Sequence, residues 1–326
     1  RSFDYDYLVI AVGSISHDFG VTGVAEHCLF LDTTAQAENF QTQLIEAYVR
    51  AHTQGRPVDD GQLAIAIVGA GATGVELSAQ LYEVSHLLSA YGLDEVKPTD
   101  VKISIIEAAD RVLPGLPENL SRATEVELSK LGVSVLNDER VIEVTADEIR
   151  TESGKVIPAA IKVWAAGIKA PPFLTELGLA TNHINQIEVK QTLQSLTDDD
   201  IYAIGDCCAC PWEGHEGNVP PRAQAAHQMA SLAYKSITRR LVGKSLPDYH
   251  YHDHGSLVSL GKYSTVGNMM GKLSKGSLMV EGFLARMMYL SLYKMHQVAL
   301  FGFFRVGMLS LSHLFRRSVH PKIKLH

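Results

Sequence analysis

The chain has 326 residues, 46% of them hydrophobic and 20% charged, with a formal net charge of −7. That length predicts two domains, or two and an appendage, and the composition excludes disordered, collagenous and disulfide-stapled classes. Charge is unevenly placed. After Glu281 there is no acidic residue, and the last 45 residues carry Arg286, Lys294, Arg305, Arg316, Arg317, Lys322 and Lys324, a formal +7 against −14 for the remainder. Such asymmetry marks an interaction tail.

The opening Arg1-Ser2-Phe3-Asp4-Tyr5 has no signal-peptide pattern and no methionine, and it runs straight into a strand. It is expected to be the interior of a longer polypeptide. Tyr7-Leu8-Val9-Ile10-Ala11-Val12-Gly13-Ser14 reads as a buried strand ending in a small-residue turn, with Gly13 the candidate cofactor contact.

Leu63 to Val68 is an apolar run of strand length that feeds directly into Gly69-x-Gly71-x-x-Gly74. A helical pattern follows, with Val75, Leu77, Leu81 and Val84 as its apolar positions. Strand, G-x-G-x-x-G and helix in that order predict a dinucleotide-binding turn. Gly69 allows the tight turn, Gly71 admits a diphosphate to the backbone, and Gly74 lets helix and strand pack closely; the diphosphate then meets unpaired N–H groups at a positive helix end. Glu76 is expected in the first turn of that helix. Ser85 to Asp100, polar and carrying Gly92 and Pro98, is expected to extend helix and loop before the β-rich Val101–Ile106 run. That run ends in Glu107, the acid that accepts from the ribose hydroxyls of adenosine and repels a 2′-phosphate, so NADH is the expected nucleotide.

Val163-Trp164-Ala165-Ala166-Gly167 repeats the strand-to-small-turn pattern. Asp200-Ile201-Tyr202-Ala203-Ile204-Gly205-Asp206 delivers Gly205 and Asp206 at the carboxyl end of an apolar strand, where α/β sheets bind ligands. A carboxylate near a diphosphate must accept hydrogen bonds, and in flavoproteins of this architecture a ribityl hydroxyl is the partner. FAD is therefore the second expected cofactor.

Four cysteines, three of them at Cys207, Cys208 and Cys210, do not make a secreted framework and point to a reducing, cytosol-facing setting. The cluster contains one C-x-x-C, read as a structural group of thiols; no metal is expected. His250, His252 and His254 alternate and are read as one side of a surface strand. Pro220 and Pro221 set up a helix on which Gln224 and Gln228 share a face at i and i+4, with His227 adjacent at i+3. On residues alone the favoured reading is a solvated polar face.

Near the C-terminus, Met295 to Phe304 and Val306 to Phe315 are uncharged runs of ten split by Arg305, too short to span a bilayer. Lys294, Arg305 and Arg316 recur at intervals of eleven and share one stripe if the helix is continuous, while Gly302 and Gly307 are candidate breaks. An apolar helix with a cationic stripe reads as an interfacial anchor on anionic lipid. The basic tail has no nucleic-acid fold around it, and no nucleic-acid partner is expected.

Taken together these segments resemble the type II, single-subunit, non-proton-pumping NADH:quinone dehydrogenases of bacterial respiratory chains. The likeness is nearest the proteobacterial branch, on Leu290-Ser291-Leu292-Tyr293-Lys294-Met295-His296-Gln297-Val298-Ala299-Leu300 and on Pro220-Pro221-Arg222-Ala223-Gln224-Ala225-Ala226-His227-Gln228. It implies that Ala223 and the Ala-Gln-x-Ala-x-Gln segment face the flavin ring and quinone. It further implies that Gln224, with Gln228 on the same face, donates to a quinone carbonyl or a flavin edge, that His227 gives the reduced quinone a proton, and that Glu76, Ala166 and Gly167 lie on the nicotinamide side.

The fold expected is α/β, a two-dinucleotide-binding-domain flavoprotein of Rossmann-like domains with a C-terminal amphipathic membrane-anchoring module. FAD-domain pieces are expected at 1–60 and 150–242, the NADH domain at 61–149, and the C-terminal module at 243–326. No second glycine motif precedes Tyr7, so the N-terminal part of the FAD domain is expected upstream. The implied partners are a quinone and the cytoplasmic face of the bacterial inner membrane, and the family leaves room for a homodimer. Two other readings stay open at this point: a soluble NADH-dependent flavoprotein reductase with another acceptor, and an NADH-binding module without redox activity.

Overall fold

Leu63–Val68 is buried at every position because it has a parallel neighbour on each side, Val101–Ile106 and Ile161–Trp164. Ser134–Leu136 completes the sheet beyond Val101–Ile106, giving four parallel strands. A strand covered on both faces needs no polar alternation, which is why its sequence is continuously apolar. Helix Ala72–Ser85 buries Val75, Leu77, Leu81 and Val84 against the sheet, as the spacing predicts. Thr34–Thr53 begins with a reciprocal Thr33–Gln36 capping box and buries Phe40, Leu44, Tyr48 and Ala51 along one face. An antiparallel trio, Val141–Val144, Glu148–Thr151 and Val156–Pro158, lies between the last two strands of the sheet in chain order. Gly255–Leu260 adds Val258 and Leu260 to the same apolar core.

This computed structural model describes residues 3–59, 61–260, 264–269 and 278–317. It divides the chain into two compact units, one of residues 18–166 and 255–326 and one of residues 1–17 and 167–254. The divisions expected at 60, 149 and 242 fall elsewhere for a physical reason. The Thr34–Thr53 helix and the Ile161–Trp164 strand both belong to the core around Leu63–Val68, so the sheet draws in chain from either side of the expected limits.

In the second unit Leu8–Ile10 runs parallel to Ile201–Ala203, Ile187–Glu188 runs parallel to Cys208–Ala209, and Ile15–Ser16 runs antiparallel to Ile168–Lys169. Helix Ala223–Arg240 packs Ala225, Met229, Ala233 and Ser236 inward. The strand expected over residues 7–14 is shorter and more open than its sequence suggests: Val9 and Val12 are 40% and 48% exposed. Among the described residues it has one strand neighbour, so only Ile10 is deeply buried.

Three further expectations change. Ala72–Ser85 is not extended; the chain goes on as loop with 3-10 turns at Ser89–Tyr91 and Pro98–Asp100. The C-terminal helix is two helices, Gly282–Phe301 and Phe303–Arg317, broken at Gly302, whose φ of 78° ends the first; Gly307 stays inside the second. A single stripe through Lys294, Arg305 and Arg316 therefore does not form, since the break separates Lys294 from the other two. No helix of the described residues is long and apolar enough to cross a membrane. Lys322 and Lys324 lie outside the described residues, as do the side chains of Arg286, Arg316 and Arg317.

Candidate dinucleotide and acceptor sites

The turn after Leu63–Val68 uses each glycine differently. Gly69 has φ +103°, and a Cβ there would lie 2.8 Å from the backbone of Ala165 and Ala166, so it serves both the turn and a close approach. Ala166 is thereby placed beside the turn. A Cβ on Gly74 would sit 2.0 Å from the Gly69 carbonyl oxygen, the close helix–strand packing the motif predicts. Gly71, at φ −68°, has nothing within 4 Å of its Cβ direction and caps the helix with no side-chain cap. Open space before uncapped N–H groups fits a diphosphate.

Glu107 follows directly on Val101–Ile106 and is pinned from two sides. Ala70 N–H donates to its Oε2 at 2.6 Å and Ala109 N–H to its Oε1 at 2.9 Å. The carboxylate thus lies against the glycine turn, with lone pairs beyond those two bonds. The same Ala70 accepts from Leu113 N–H at 2.8 Å, and Leu113 holds a positive φ of 49°. Sequence reasoning missed Leu113, because nothing in a leucine announces a left-handed backbone. Glu76 is half-buried on this helix but lies beyond its first turn, which contains no acid.

In the other unit, the parallel pair Leu8–Ile10 and Ile201–Ala203 brings two small-residue turns to the same strand ends. Gly13 has φ +71° with open space at its Cβ position, and Gly205 has φ +75°. Ser14 Oγ donates to Asp206 Oδ2 at 3.0 Å, tying the turns together. Asp206 Oδ1 has no hydrogen-bond partner among the described residues, and the side chain is half-buried. A bare glycine edge beside an anchored acceptor fits a polyhydroxyl chain near a diphosphate. Ser14 was legible only as the residue after Gly13. Gly167, exposed at φ +64°, receives the His17 N–H at 3.2 Å.

Helix Ala223–Arg240 starts after Arg222, with Ala223 exposed in its first position. Its Ala226 Cβ would meet a Cβ on Gly205 at 3.5 Å, and Met229 Sδ accepts from Gly205 N–H at 3.3 Å. The helix therefore packs on the Gly205–Asp206 turn. Gln224 and Gln228 share a face as expected, and that face holds the 252–254 segment, which is loop and not the strand its alternating histidines suggest. Gln228 Nε2 donates to the His252 carbonyl at 2.9 Å, and its Oε1 accepts from His252 N–H at 3.0 Å. Gln224 Oε1 accepts from His254 N–H at 3.0 Å, while its Nε2 donates to Asp253 Oδ1 at 3.1 Å. Arg222 completes the cluster with a 2.9 Å ion pair to Asp253 Oδ2. His227 is exposed.

Cys207, Cys208 and Cys210 are free and buried, and burial pushes every one of their thiols up, Cys210 to about 12. They are packing groups. His252 and His254 are exposed and His250 pairs with Glu213 at 2.6 Å; no group of three or more metal-ligating residues forms among the described residues.

Two sets of parallel strands, each ending in glycine turns and a carboxylate, define an α/β dinucleotide-binding oxidoreductase. The model of the pyridine nucleotide-disulphide oxidoreductase family matches residues 1–230. A type II NADH:quinone oxidoreductase of Haemophilus influenzae is 42% identical, aligned over all of this chain and 76% of its own length. A Staphylococcus aureus protein of the same name is 31% identical over 83% of this chain and 67% of its own. Among solved structures, NDH2 from Plasmodium falciparum in complex with NADH shares the fold with a TM-score of 0.78 at 19% identity, over 90% of this chain and 74% of that one. The chain belongs to the type II NADH:quinone oxidoreductases, within the pyridine nucleotide-disulphide oxidoreductase family.

Proposed function

We infer that this chain oxidises NADH and reduces a membrane quinone, with FAD between them and without proton pumping. The observation that carries the reading is the paired construction of the two units: Glu107 fixed beside a bare glycine turn in one, Asp206 anchored beside Gly13 and Gly205 in the other. Bound FAD supplies the two-electron chemistry, hydride acceptance from NADH and electron delivery to the quinone.

The chain supplies position, charge and exclusion of water. Gly71 and the helix start behind it receive the NADH diphosphate, and Glu107 accepts from the adenosine ribose. Asp206 Oδ1 accepts from a ribityl hydroxyl, with Ser14 holding the other oxygen. Ala166 and Gly167 admit the nicotinamide to the backbone, Glu76 tunes that side, and Ala223 begins the helix on the flavin side. Gln224, Gln228 and His227 are assigned to the acceptor, His227 as proton donor.

Membrane docking is assigned to the region around Gly302. Leu300, Phe303, Phe304 and Met308 are 72–89% exposed there, with Arg305 exposed among them. A large apolar surface with a cation at its edge suits an anionic lipid interface, at the cytoplasmic face of a bacterial membrane.

The purified full chain is tested for flavin absorbance and for NADH-driven reduction of a water-soluble quinone and of ferricyanide. A flavin band with both activities is expected. Ferricyanide reduction alone points to another acceptor, and absence of flavin reduces the chain to a nucleotide-binding module.

A further inference from the structure

Asp253 is given no role by its sequence context, where three alternating histidines draw the eye. In the structure it is the junction of the acceptor-side helix. Its Oδ1 takes the Gln224 amide at 3.1 Å and its Oδ2 takes Arg222 at 2.9 Å, with the aspartate side chain only 19% exposed.

The chemistry of those contacts leaves Gln224 one orientation. A carboxylate only accepts and a backbone N–H only donates. With Asp253 on one side and His254 N–H on the other, the amide must turn Nε2 to the first and Oε1 to the second. Gln228, one turn on, needs no such help, because the N–H and carbonyl of a single residue, His252, read both ends of its amide. The two glutamines of one motif are thus fixed by different means, and only Gln224 depends on a side chain. Arg222, the residue before the helix, holds that side chain in place by a charge-assisted bond.

We propose that Asp253 is a positioning residue for quinone reduction: with Arg222 as counter-ion, it sets which way the Gln224 amide presents its donor and acceptor at the acceptor site. The inference rests on the reading of Gln224 as an acceptor-site residue. It requires no contact between Asp253 and the quinone.

The test compares the full-chain flavoenzyme with Asp253→Asn and Asp253→Glu, using a water-soluble quinone and ferricyanide as alternative acceptors and flavin absorbance as a check on the holoenzyme. An asparagine side chain in place of the carboxylate can satisfy one of the two donors but repels the other with its own amide. The expected result is a rise of about tenfold in quinone KM for Asp253→Asn, the scale of one hydrogen bond lost or misaligned. Ferricyanide rates stay within about twofold, and Asp253→Glu recovers most of the loss by restoring a carboxylate. Unchanged quinone KM and kcat in Asp253→Asn overturn the proposal. So does an equal fall with both acceptors, which marks a merely structural clasp. A parent enzyme that reduces ferricyanide but no quinone removes the underlying reading, and the proposal with it, before any variant is made.

Discussion

Gly71→Ala and Gly74→Ala differ by three positions and separate binding from folding. At Gly74 a Cβ lies 2.0 Å from the Gly69 carbonyl oxygen and 3.3 Å from Ile67 Cγ2, so the helix must retreat by more than an ångström to regain ordinary contact. Overpacking of that kind costs about 1–3 kcal/mol, and here it also shifts the uncapped N–H groups away from the diphosphate. At Gly71 a Cβ meets nothing, and φ −68° suits any residue. A lost helix-cap preference and a less flexible unfolded chain nearly offset each other, so stability changes by less than about 1 kcal/mol. The added methyl does occupy the space assigned to the diphosphate. Losing the helix-end interaction weakens NADH binding by about 1–2 kcal/mol, roughly five- to thirtyfold. Thermal melting and NADH titration of both variants check the argument. It is refuted if Gly71→Ala binds NADH as tightly as the parent, or if Gly74→Ala melts with it.

Other outcomes follow from single contacts. Lys155, with the hydroxyls of Thr151 and Ser153, holds the Glu139 carboxyl down to about 2. A depressed carboxylate contributes stability above its unfolded value and loses it as pH falls towards the folded one. The stability gap between parent and Glu139→Gln should therefore be full near neutral pH and close between about pH 4.5 and 2 in chemical denaturation. All four cysteines are buried, and burial pushes Cys28 and Cys210 up to about 12; thiol titration at mildly alkaline pH should find none reactive before denaturant and four after it. Glu107→Gln sets an amide N–H2 against one of two backbone donors and removes the charge facing a 2′-phosphate. The kcat/KM preference for NADH over NADPH should fall by about tenfold, and an unchanged ratio would count against the assignment. Phe303→Ser with Phe304→Ser, both exposed, should weaken binding to anionic vesicles by about tenfold in sedimentation while leaving ferricyanide activity intact.

How much of this was legible depended on whether a residue's requirement was local. The turn at Gly69, Gly71 and Gly74 follows its local motif, although Gly69 also meets the distant Ala165–Ala166 backbone, which no local reading reveals. The Val101–Ile106 strand and Glu107 were equally plain, because a β-rich run must end somewhere in a parallel sheet. The strand at residues 8–10 was read as buried since an apolar run cannot report how many neighbours it has. The extent of the two compact units could not be read locally, because Ile161–Trp164 pairs with a strand about a hundred residues earlier. Two glycines stood as candidate breaks near the C-terminus, and only Gly302 adopts the positive φ that ends a helix. The glutamine pairings were hidden most completely. Their partners lie 24 to 30 residues on, in an extended segment without regular hydrogen bonding to suggest it.

The two carboxylates at the strand ends, given different nucleotides in the proposed function, are held in different ways. Glu107 is gripped by two backbone N–H groups, which cannot turn round to accept and therefore require an acceptor at each carboxylate oxygen. A carboxylate so held is fixed in place, which suits the proposed discrimination between a ribose hydroxyl and a phosphate. Asp206 is gripped by one serine hydroxyl, which can both donate and accept, and its second oxygen has no hydrogen-bond partner among the described residues. That holding is softer and suits a site that has only to accept from a hydroxyl. Under the proposed assignments, a carboxylate at the same kind of strand end thus serves discrimination in one unit and simple attachment in the other because of the groups that hold it.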